Sequence, residues 1–311
     1  MGKKINLDEK IFVAGAKGMA GSAICRSLYK KGYGPANGGL VMQPTREELD
    51  LLEIKEVKKW FQKHNPTIVI IAAAKVGGIL ANSKYPTQFL LDNLKIQNNL
   101  IETAWHMGVK RLLFLGSSCI YPKFAKQPID EESLLTGLLE DTNQWYAISK
   151  ISGIKLCDAL RKQYNFDAIS LMPTNLYGPG DNYHYENSHV MASLIKKFCE
   201  ASKNSIPSVT CWGTGKPLRE FLYVDDLGEA VVFALENWDP NSKNAPKDNN
   251  NTPLTILNVG TGKDISIKEL ANKISSTVKY KGSIIWDKSK PDGTPQKKLN
   301  INRISSMGWK A

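Results

Sequence analysis

Two side chains that can transfer a proton stand four residues apart near the middle of the sequence, Tyr146 and Lys150. Within a helix, this spacing places both side chains on one face. A free tyrosine has a pKa of about 10. A neighbouring ammonium group stabilises the phenolate, so we expect Lys150 to lower the pKa of Tyr146. The phenol could then donate a proton to a carbonyl oxygen while a hydride reaches the carbonyl carbon. Because this spacing is common by chance, the pair needs support from other residues.

Ser117 and Cys119 supply that support, since they follow an apolar segment, residues 111–116, that predicts a strand. The carboxyl ends of strands in open α/β sheets are where ligands bind. We therefore expect Ser117 to hydrogen-bond a substrate oxygen beside Tyr146.

Cys119 and His189 have side chains whose ordinary pKa values lie near working pH, so either of them could transfer a proton. A single histidine is, however, more often a hydrogen-bonding group in a loop, and a single cysteine is more often buried and inert. We expect burial for Cys25, Cys157 and Cys199.

A glycine-rich turn follows the first predicted strand and opens the first predicted helix. Its glycines allow a tight turn, close approach of the backbone to a pyrophosphate, and packing of helix against strand. The helix N-terminus then faces the phosphates. The turn predicts a dinucleotide site formed by Gly15, Ala16, Lys17, Gly18, Met19, Ala20 and Gly21.

The segment after the second predicted strand indicates which dinucleotide binds. An enzyme that uses NAD usually has an acidic residue here for the ribose 2′-hydroxyl, but this chain has no acid before Glu47. Arg46 and Lys17 could instead hold a 2′-phosphate. We therefore predict NADP(H) as the cofactor, with a plain solvated charge as the alternative role for Arg46.

The apolar pattern predicts the elements that must position these residues. Short apolar strands alternate with amphipathic helices up to residue 172, which indicates a parallel sheet covered on both faces. Strands are predicted at 10–14, 40–43, 67–73, 111–116, 168–172, 208–212 and 283–287, and helices at 19–31, 54–64, 87–107, 145–164, 190–201, 226–237 and 267–278. We predict an α/β fold with a Rossmann-type doubly wound parallel sheet in residues 1–173. Residues 174–311 are expected to form mainly a smaller α/β substrate domain, with part of this later chain returning to the first domain.

Composition restricts the class of protein. The 311 residues carry a formal net charge of +11, which suits an anionic ligand. The basic residues are spread along the chain, so we predict no nucleic-acid binding. No apolar run approaches the roughly 20 residues that span a bilayer, and the N-terminus has no apolar signal core. A cytoplasmic protein without membrane contact is therefore expected. Five cysteines and four histidines lack the spacing of a metal site or a disulfide framework, so no metal is predicted.

The order of the glycine turn, the strand-end serine and the Tyr-Lys pair resembles the short-chain dehydrogenase/reductase family. Six further segments resemble the GDP-L-fucose synthases within that family, and the resemblance extends over residues 10–309. These segments are residues 72–79, 114–122, 173–179, 187–190, 219–222 and 290–295.

The resemblance implies an activity in two stages. GDP-4-keto-6-deoxy-D-mannose is epimerised at C3 and C5 and then reduced at C4 with NADPH to GDP-L-fucose. Cys119 and His189 are implied as the acid and base of the first stage, and Ser117, Tyr146 and Lys150 as the reductive triad. A homodimer formed by the two long helices at 87–107 and 145–164 is also implied.

The resemblance also implies which residues bind the ligands. Besides the glycine turn and Arg46, the cofactor residues are Leu115, Gly116, Ser117, Ser118, Lys150, Pro173, Thr174, Asn175, Leu176 and His189. The implied substrate residues are Lys197, Trp212, Arg219 and Asp292.

Three alternatives stay open on the sequence alone. A nucleotide-sugar 4,6-dehydratase would usually have Thr-Asp-Glu where this chain has Ser117, Ser118 and Cys119. A 4-epimerase would retain bound NAD and would need no cysteine and histidine pair. A non-catalytic NADP-sensing protein would typically lose the tyrosine or lysine that this chain keeps.

Overall fold

The described chain alternates strands with helices in its first half and has shorter, mixed elements after that. A computed structural model describes residues 3–184 and 188–311. The strands β1 to β12 are Lys10–Ala14, Leu40–Met42, Ile68–Ile71, Arg111–Leu115, Ala168–Pro173, Asn175–Tyr177, Ser208–Trp212, Leu218–Tyr223, Ile256–Val259, Asp264–Ser266, Ser283–Asp287 and Gln296–Lys297. The helices α1 to α9 are Met19–Lys30, Ile54–His64, Ile79–Lys84, Pro86–His106, Gln144–Tyr164, Val190–Lys203, Val224–Asn237, Ile267–Thr277 and Asn302–Ser306.

Six parallel strands form the central sheet, in the order β2-β1-β3-β4-β5-β9. The predicted doubly wound α/β fold is confirmed. Strand β3 shows why the sheet forms, since all four of its residues are buried, as expected for a strand covered on both faces. The chain leaves β1 toward β2 on one side and β3 on the other. This change of direction opens a crevice at the carboxyl ends of the strands, where ligands bind in such sheets.

Helices cover both faces of this sheet and create two apolar cores. On one face α1 packs against α7, and on the other α4 packs against α5. Close contact between α5 and the sheet depends on Gly153, because an added Cβ would lie 2.6 Å from the ring of Phe114. Strand β9 lies in the second half of the chain and pairs with β5 at the sheet edge.

The remaining strands build the smaller unit that closes over the crevice. Strand β8 pairs with β6, β10 and β12, and β7 pairs with β11. Helices α6 and α8 enclose a separate apolar core around Leu194, Phe198 and Tyr280. Our prediction that Cys199 is buried was wrong. It follows Phe198 by one residue, about 100° around α6, so it points away from this core.

None of the helices in the described ranges combines the length and apolar character that crossing a lipid bilayer requires.

Candidate active site

A cavity of about 1060 Å³ lies at the carboxyl ends of β1, β3, β4 and β5, beneath the smaller unit. Every residue for which the sequence analysis predicted a catalytic, cofactor or substrate role lines this cavity. The catalytic candidates among them are Ser117, Cys119, Tyr146, Lys150 and His189. Residues distant in sequence therefore share one space, which is necessary for the predicted chemistry.

The glycine turn after β1 forms one end of the cavity. Gly15 has a φ of +82°, and an added Cβ would lie 2.7 Å from the backbone of Ala73. An added Cβ at Gly21 would lie 2.1 Å from the carbonyl oxygen of Gly15. Gly18 precedes the first residue of α1 and has no side chain to cap the helix. The free N–H groups of α1 thus face a cradle that only glycine can form, which fits a pyrophosphate.

Arg46 and Lys17 lie at the same end of the cavity and are solvent-exposed. The guanidinium group of Arg46 is 3.9 Å from the carboxylate of Asp50, and its side chain is 78% exposed. An ion pair this exposed is weak, so Arg46 is free to turn toward a phosphate. The cavity wall here contains no Asp or Glu between residues 21 and 46.

Ser117 and Cys119 are held by a 3-10 turn, Ser118–Ile120, directly after β4. The Ser117 hydroxyl accepts a hydrogen bond from the Cys119 backbone N–H at 3.3 Å. Cys119 is only 8% exposed, and this burial raises the pKa of its thiol, whereas the ammonium groups of Lys297 and Lys150 act to lower it. Ionisation of Cys119 therefore depends on which cations lie beside it.

Tyr146 and Lys150 lie in the first two turns of α5 and face the cavity. Burial lowers the pKa of Lys150 to about 8, and its ammonium group donates to the carbonyl oxygen of Leu115 at 2.8 Å. Our expectation that Lys150 lowers the pKa of Tyr146 was wrong. Burial, with a smaller effect from Cys119, raises the pKa of this phenol well above its ordinary value. The Lys150 ammonium, 5.9 Å from the centroid of the Tyr146 ring, does not offset that burial. Tyr146 therefore keeps its proton and is an acid rather than a base.

His189 directly precedes α6 and faces the cavity, which makes it accessible to solvent although protein surrounds it. Removal from bulk water lowers the pKa of its imidazole, and Lys297 acts in the same direction, whereas the carboxylate of Asp181 raises it. When it carries a proton, His189 is thus a stronger acid than an ordinary imidazolium. Asn187, which begins the matching segment around His189, lies outside the described residues.

The four predicted substrate residues form the other end of the cavity. The Lys197 ammonium donates to the carbonyl oxygen of Thr210 at 3.0 Å and is 6.0 Å from the centroid of the Trp212 ring. Arg219 donates to the backbone carbonyl oxygen of Asp292 at 3.3 Å. The Asp292 carboxylate accepts from the backbone N–H and hydroxyl of Thr214 at 2.7 and 2.8 Å. The Asp292 carboxylate is therefore occupied by hydrogen bonds from Thr214, whereas Lys197 and Arg219 retain N–H donors for an anion.

Several cavity residues were missed by the sequence analysis. They include Leu49, Leu52, Lys75, Asp92, Glu140, Asn143 and Lys297. Lys297 follows the matching segment 290–295 closely, but nothing in the pattern distinguishes it among the 41 lysines and arginines of the chain. No cluster of metal-ligating side chains is present in the described part of the chain.

Comparisons with known proteins agree with this geometry. The family model for the NAD dependent epimerase/dehydratase family matches residues 11–250. GDP-L-fucose synthase 1 of Arabidopsis thaliana is 51% identical over 300 residues, which cover 96% of this chain and 87% of that protein. GDP-L-fucose synthase of Escherichia coli K12 is 48% identical over 301 residues, covering 97% and 91%. The match therefore includes both the parallel sheet and the smaller unit.

A solved structure extends the comparison to a protein with its cofactor. MlghC, a GDP-mannoheptose C4 reductase from Campylobacter jejuni with NADP bound, superposes with a TM-score of 0.83 at 34% identity. The alignment covers 98% of this chain and 94% of that one. The arrangement of sheet, glycine turn and smaller unit thus recurs in an NADP-binding protein.

Proposed function

The chain belongs to the NAD dependent epimerase/dehydratase family and, within it, to the GDP-L-fucose synthases, and we propose that it converts GDP-4-keto-6-deoxy-D-mannose to GDP-L-fucose with NADPH. The reaction comprises epimerisation at C3 and C5 and reduction at C4. The observation that carries this proposal is the single cavity lined by a cysteine and histidine pair and by a Ser-Tyr-Lys triad. A dehydratase or a 4-epimerase needs the triad but not the pair.

Epimerisation is assigned to Cys119 and His189. The Cys119 thiolate removes a proton from the carbon beside the ketone, and protonated His189 returns a proton on the opposite face. The negative charge that develops on O4 is held by hydrogen bonds from Ser117 and Tyr146. Because Tyr146 keeps its proton, it can donate a hydrogen bond throughout this stage.

Reduction is assigned to the same oxygen-binding residues. When bound in the crevice, NADPH supplies the hydride that C4 accepts. Tyr146 gives its proton to O4, and Ser117 holds that oxygen in place. Lys150 is fixed by the carbonyl oxygen of Leu115, one turn of α5 after Tyr146, and is assigned to holding the cofactor beside this phenol. One oxygen site thus serves both stages.

The GDP part of the substrate is assigned to the opposite end of the cavity. Arg219 and Lys197 can neutralise the diphosphate, and Trp212, which is 40% exposed, offers a ring face to the nucleotide. The hydrogen bonds from Thr214 to the Asp292 carboxylate support a role for Asp292 in shaping this end of the cavity.

Replacement of Arg46 tests the choice of cofactor. Arg46→Ala should reduce the preference for NADPH over NADH about tenfold, because it removes a charge-assisted bond to the 2′-phosphate worth about 1.5 kcal/mol or more. The measurement is kcat/KM with each cofactor. Lys31→Ala, which removes an exposed cation from outside the cavity, should leave the preference unchanged. Equal use of both cofactors by the unmodified protein would contradict the assignment.

The proposed reaction is tested by absorbance at 340 nm with GDP-4-keto-6-deoxy-D-mannose, followed by identification of the sugar. We expect NADPH oxidation and GDP-L-fucose as the product. No oxidation would favour a non-catalytic protein, and a reduced sugar that is not epimerised would favour a simple C4 reductase, the activity that MlghC is named for.

Assembly and compartment form part of the same proposal. The side chains of Leu91 on α4 and of Trp145 and Ile148 on α5 are exposed, which supports a homodimer formed through these two helices. All five cysteines are free, as is usual in the reducing cytoplasm, where we place the enzyme.

A further inference from the structure

Lys297 lies on the short strand β12, where two sets of contacts fix its backbone. The strand runs parallel to β8 and places Lys297 opposite Arg219. The side chain of Gln127 holds the residues on either side, since it donates to the carbonyl oxygen of Gln296 at 3.1 Å and accepts from the N–H of Lys298 at 2.9 Å. Gln127 belongs to the segment that follows Cys119. The position of Lys297 is therefore tied to the loop that carries the thiol.

The alternation of side chains along this strand directs Lys297 into the cavity. Gln296 donates to the carboxylate of Asp264 at 2.6 Å, and the ammonium group of Lys298 is 3.8 Å from the same carboxylate. Both neighbours therefore point to one face, and Lys297 must point to the other. It lines the cavity with Cys119.

The ammonium group of Lys297 has no hydrogen bond or ion pair with any residue that the structure describes. Its side chain is half-buried and lines the cavity, and this partial removal of its charge from water lowers its pKa. The ammonium group is therefore available to an anion inside the cavity.

The charged groups around Lys297 identify that partner. They are Arg219, His189, Glu140 and Cys119. Arg219 and protonated His189 are cations, so they repel the Lys297 ammonium. The Glu140 carboxylate is already 3.0 Å from the ammonium group of Lys123. The Cys119 thiolate remains, and its charge favours the protonated form of Lys297. Around Cys119 itself the other titratable groups are Lys150 and Tyr146, and Lys150 is bonded to the carbonyl oxygen of Leu115.

We infer that Lys297 is a positioning residue that stabilises the thiolate of Cys119 and so prepares this sulfur to take the proton beside the ketone. The inference rests on the role proposed for Cys119. Before substrate is bound, the thiol releases its proton to solvent while Lys297 keeps its own. During epimerisation the sulfur gains one proton from the sugar carbon and His189 gives one proton back, so the substrate neither gains nor loses protons.

The test is the pH dependence of Cys119 alkylation by iodoacetamide, without substrate, in the full chain. Peptide mass spectrometry separates Cys119 from the other four cysteines. Lys297→Met should slow alkylation at neutral pH about tenfold or more, because an opposite charge within a few ångströms shifts a pKa by about one unit or more. It should also move the midpoint to higher pH. Lys297→Arg, which keeps the charge, should restore most of the rate.

Lys298→Met is the matched control, because it removes the next lysine, which points toward Asp264 rather than into the cavity, and should keep the profile of the unmodified protein. An unchanged profile in Lys297→Met, or an equal shift in Lys298→Met, would overturn the inference. If Lys297 bound the diphosphate instead, its replacement would raise KM and leave the alkylation profile unchanged, which also overturns it. Should Lys297→Met unfold, shown by equal alkylation of all five cysteines, Lys297→Gln gives the same comparison. The proposed function is decided separately, by solvent-deuterium exchange into the sugar in the unmodified enzyme.

Discussion

Tyr146→Phe should lower the rate of C4 reduction by about 10²–10⁴-fold, the usual contribution of a general acid. The phenol of Tyr146 is the group that gives a proton to O4, and burial keeps it protonated across the working pH range. NADPH should still bind, because the glycine turn and Arg46 lie at the other end of the crevice. The measurements are NADPH oxidation with the 4-keto sugar and quenching of tryptophan fluorescence by NADPH.

Tyr164→Phe supplies the comparison for this variant. Tyr164 is the last residue of α5, so it lies on the same helix but outside the cavity. The Tyr164→Phe variant should reduce the sugar at the rate of the unmodified enzyme. If Tyr146→Phe also turns over at the rate of the unmodified enzyme, the assignment of the triad is wrong.

Cys119→Ser should slow epimerisation by about 10²–10⁴-fold while leaving reduction at C4 possible. A serine hydroxyl is too weak an acid to ionise near neutral pH, so it cannot act as the base at the carbon beside the ketone. Ser117, Tyr146 and Lys150 remain in place. The variant should therefore oxidise NADPH and release a 6-deoxy sugar that is not epimerised, such as GDP-rhamnose.

Deuterium exchange from solvent at C3 and C5 measures this loss directly. Cys199→Ser is the control, since Cys199 is exposed and lies outside the cavity. In the unmodified enzyme the exchange rate should fall at low pH, where Cys119 loses its thiolate form, and also at high pH, where His189 loses the proton that it returns to the sugar. Exchange at the normal rate in Cys119→Ser would mean that Cys119 only fills space.

The strongly periodic elements could be predicted from the sequence because the burial of their residues follows a regular pattern along the chain. Helix α2 was predicted with the bounds that the structure gives, and so were β1, β7 and β11. Apolar residues recur every three or four positions in the helix, whereas the four residues of β3 are all buried. The hydrophobic spacing therefore predicted that the glycine turn and Ser117 follow strands and that Tyr146 lies near the start of a helix.

Four other strands of the smaller unit, β6, β8, β10 and β12, could not be predicted, because their residues are fixed by distant partners. Strand β8 contains Arg219 and Glu220 in succession, which hides its alternation. Glu220 is nevertheless fully buried, since its carboxylate accepts from the backbone N–H groups of Thr261, Gly262 and Leu299 at 2.6, 2.7 and 2.8 Å. No local sequence pattern indicates such a long-range contact.

The pKa of Tyr146 illustrates the same limit at the site. Spacing showed that Lys150 shares a helix face with Tyr146, but it contained no information on how far each group is removed from water. In the fold, burial exceeds the effect of the ammonium group. Lys297 was missed for a related reason, because only the pairing of β12 with β8 brings it to Cys119.

The central claim, that one cavity epimerises and then reduces, is tested most directly by the product formed in D₂O. The unmodified enzyme is given GDP-4-keto-6-deoxy-D-mannose and NADPH, and the sugar is examined by NMR. The account predicts GDP-L-fucose with solvent deuterium at both C3 and C5. A reduced sugar that keeps its original configuration and contains no deuterium at either carbon would contradict it.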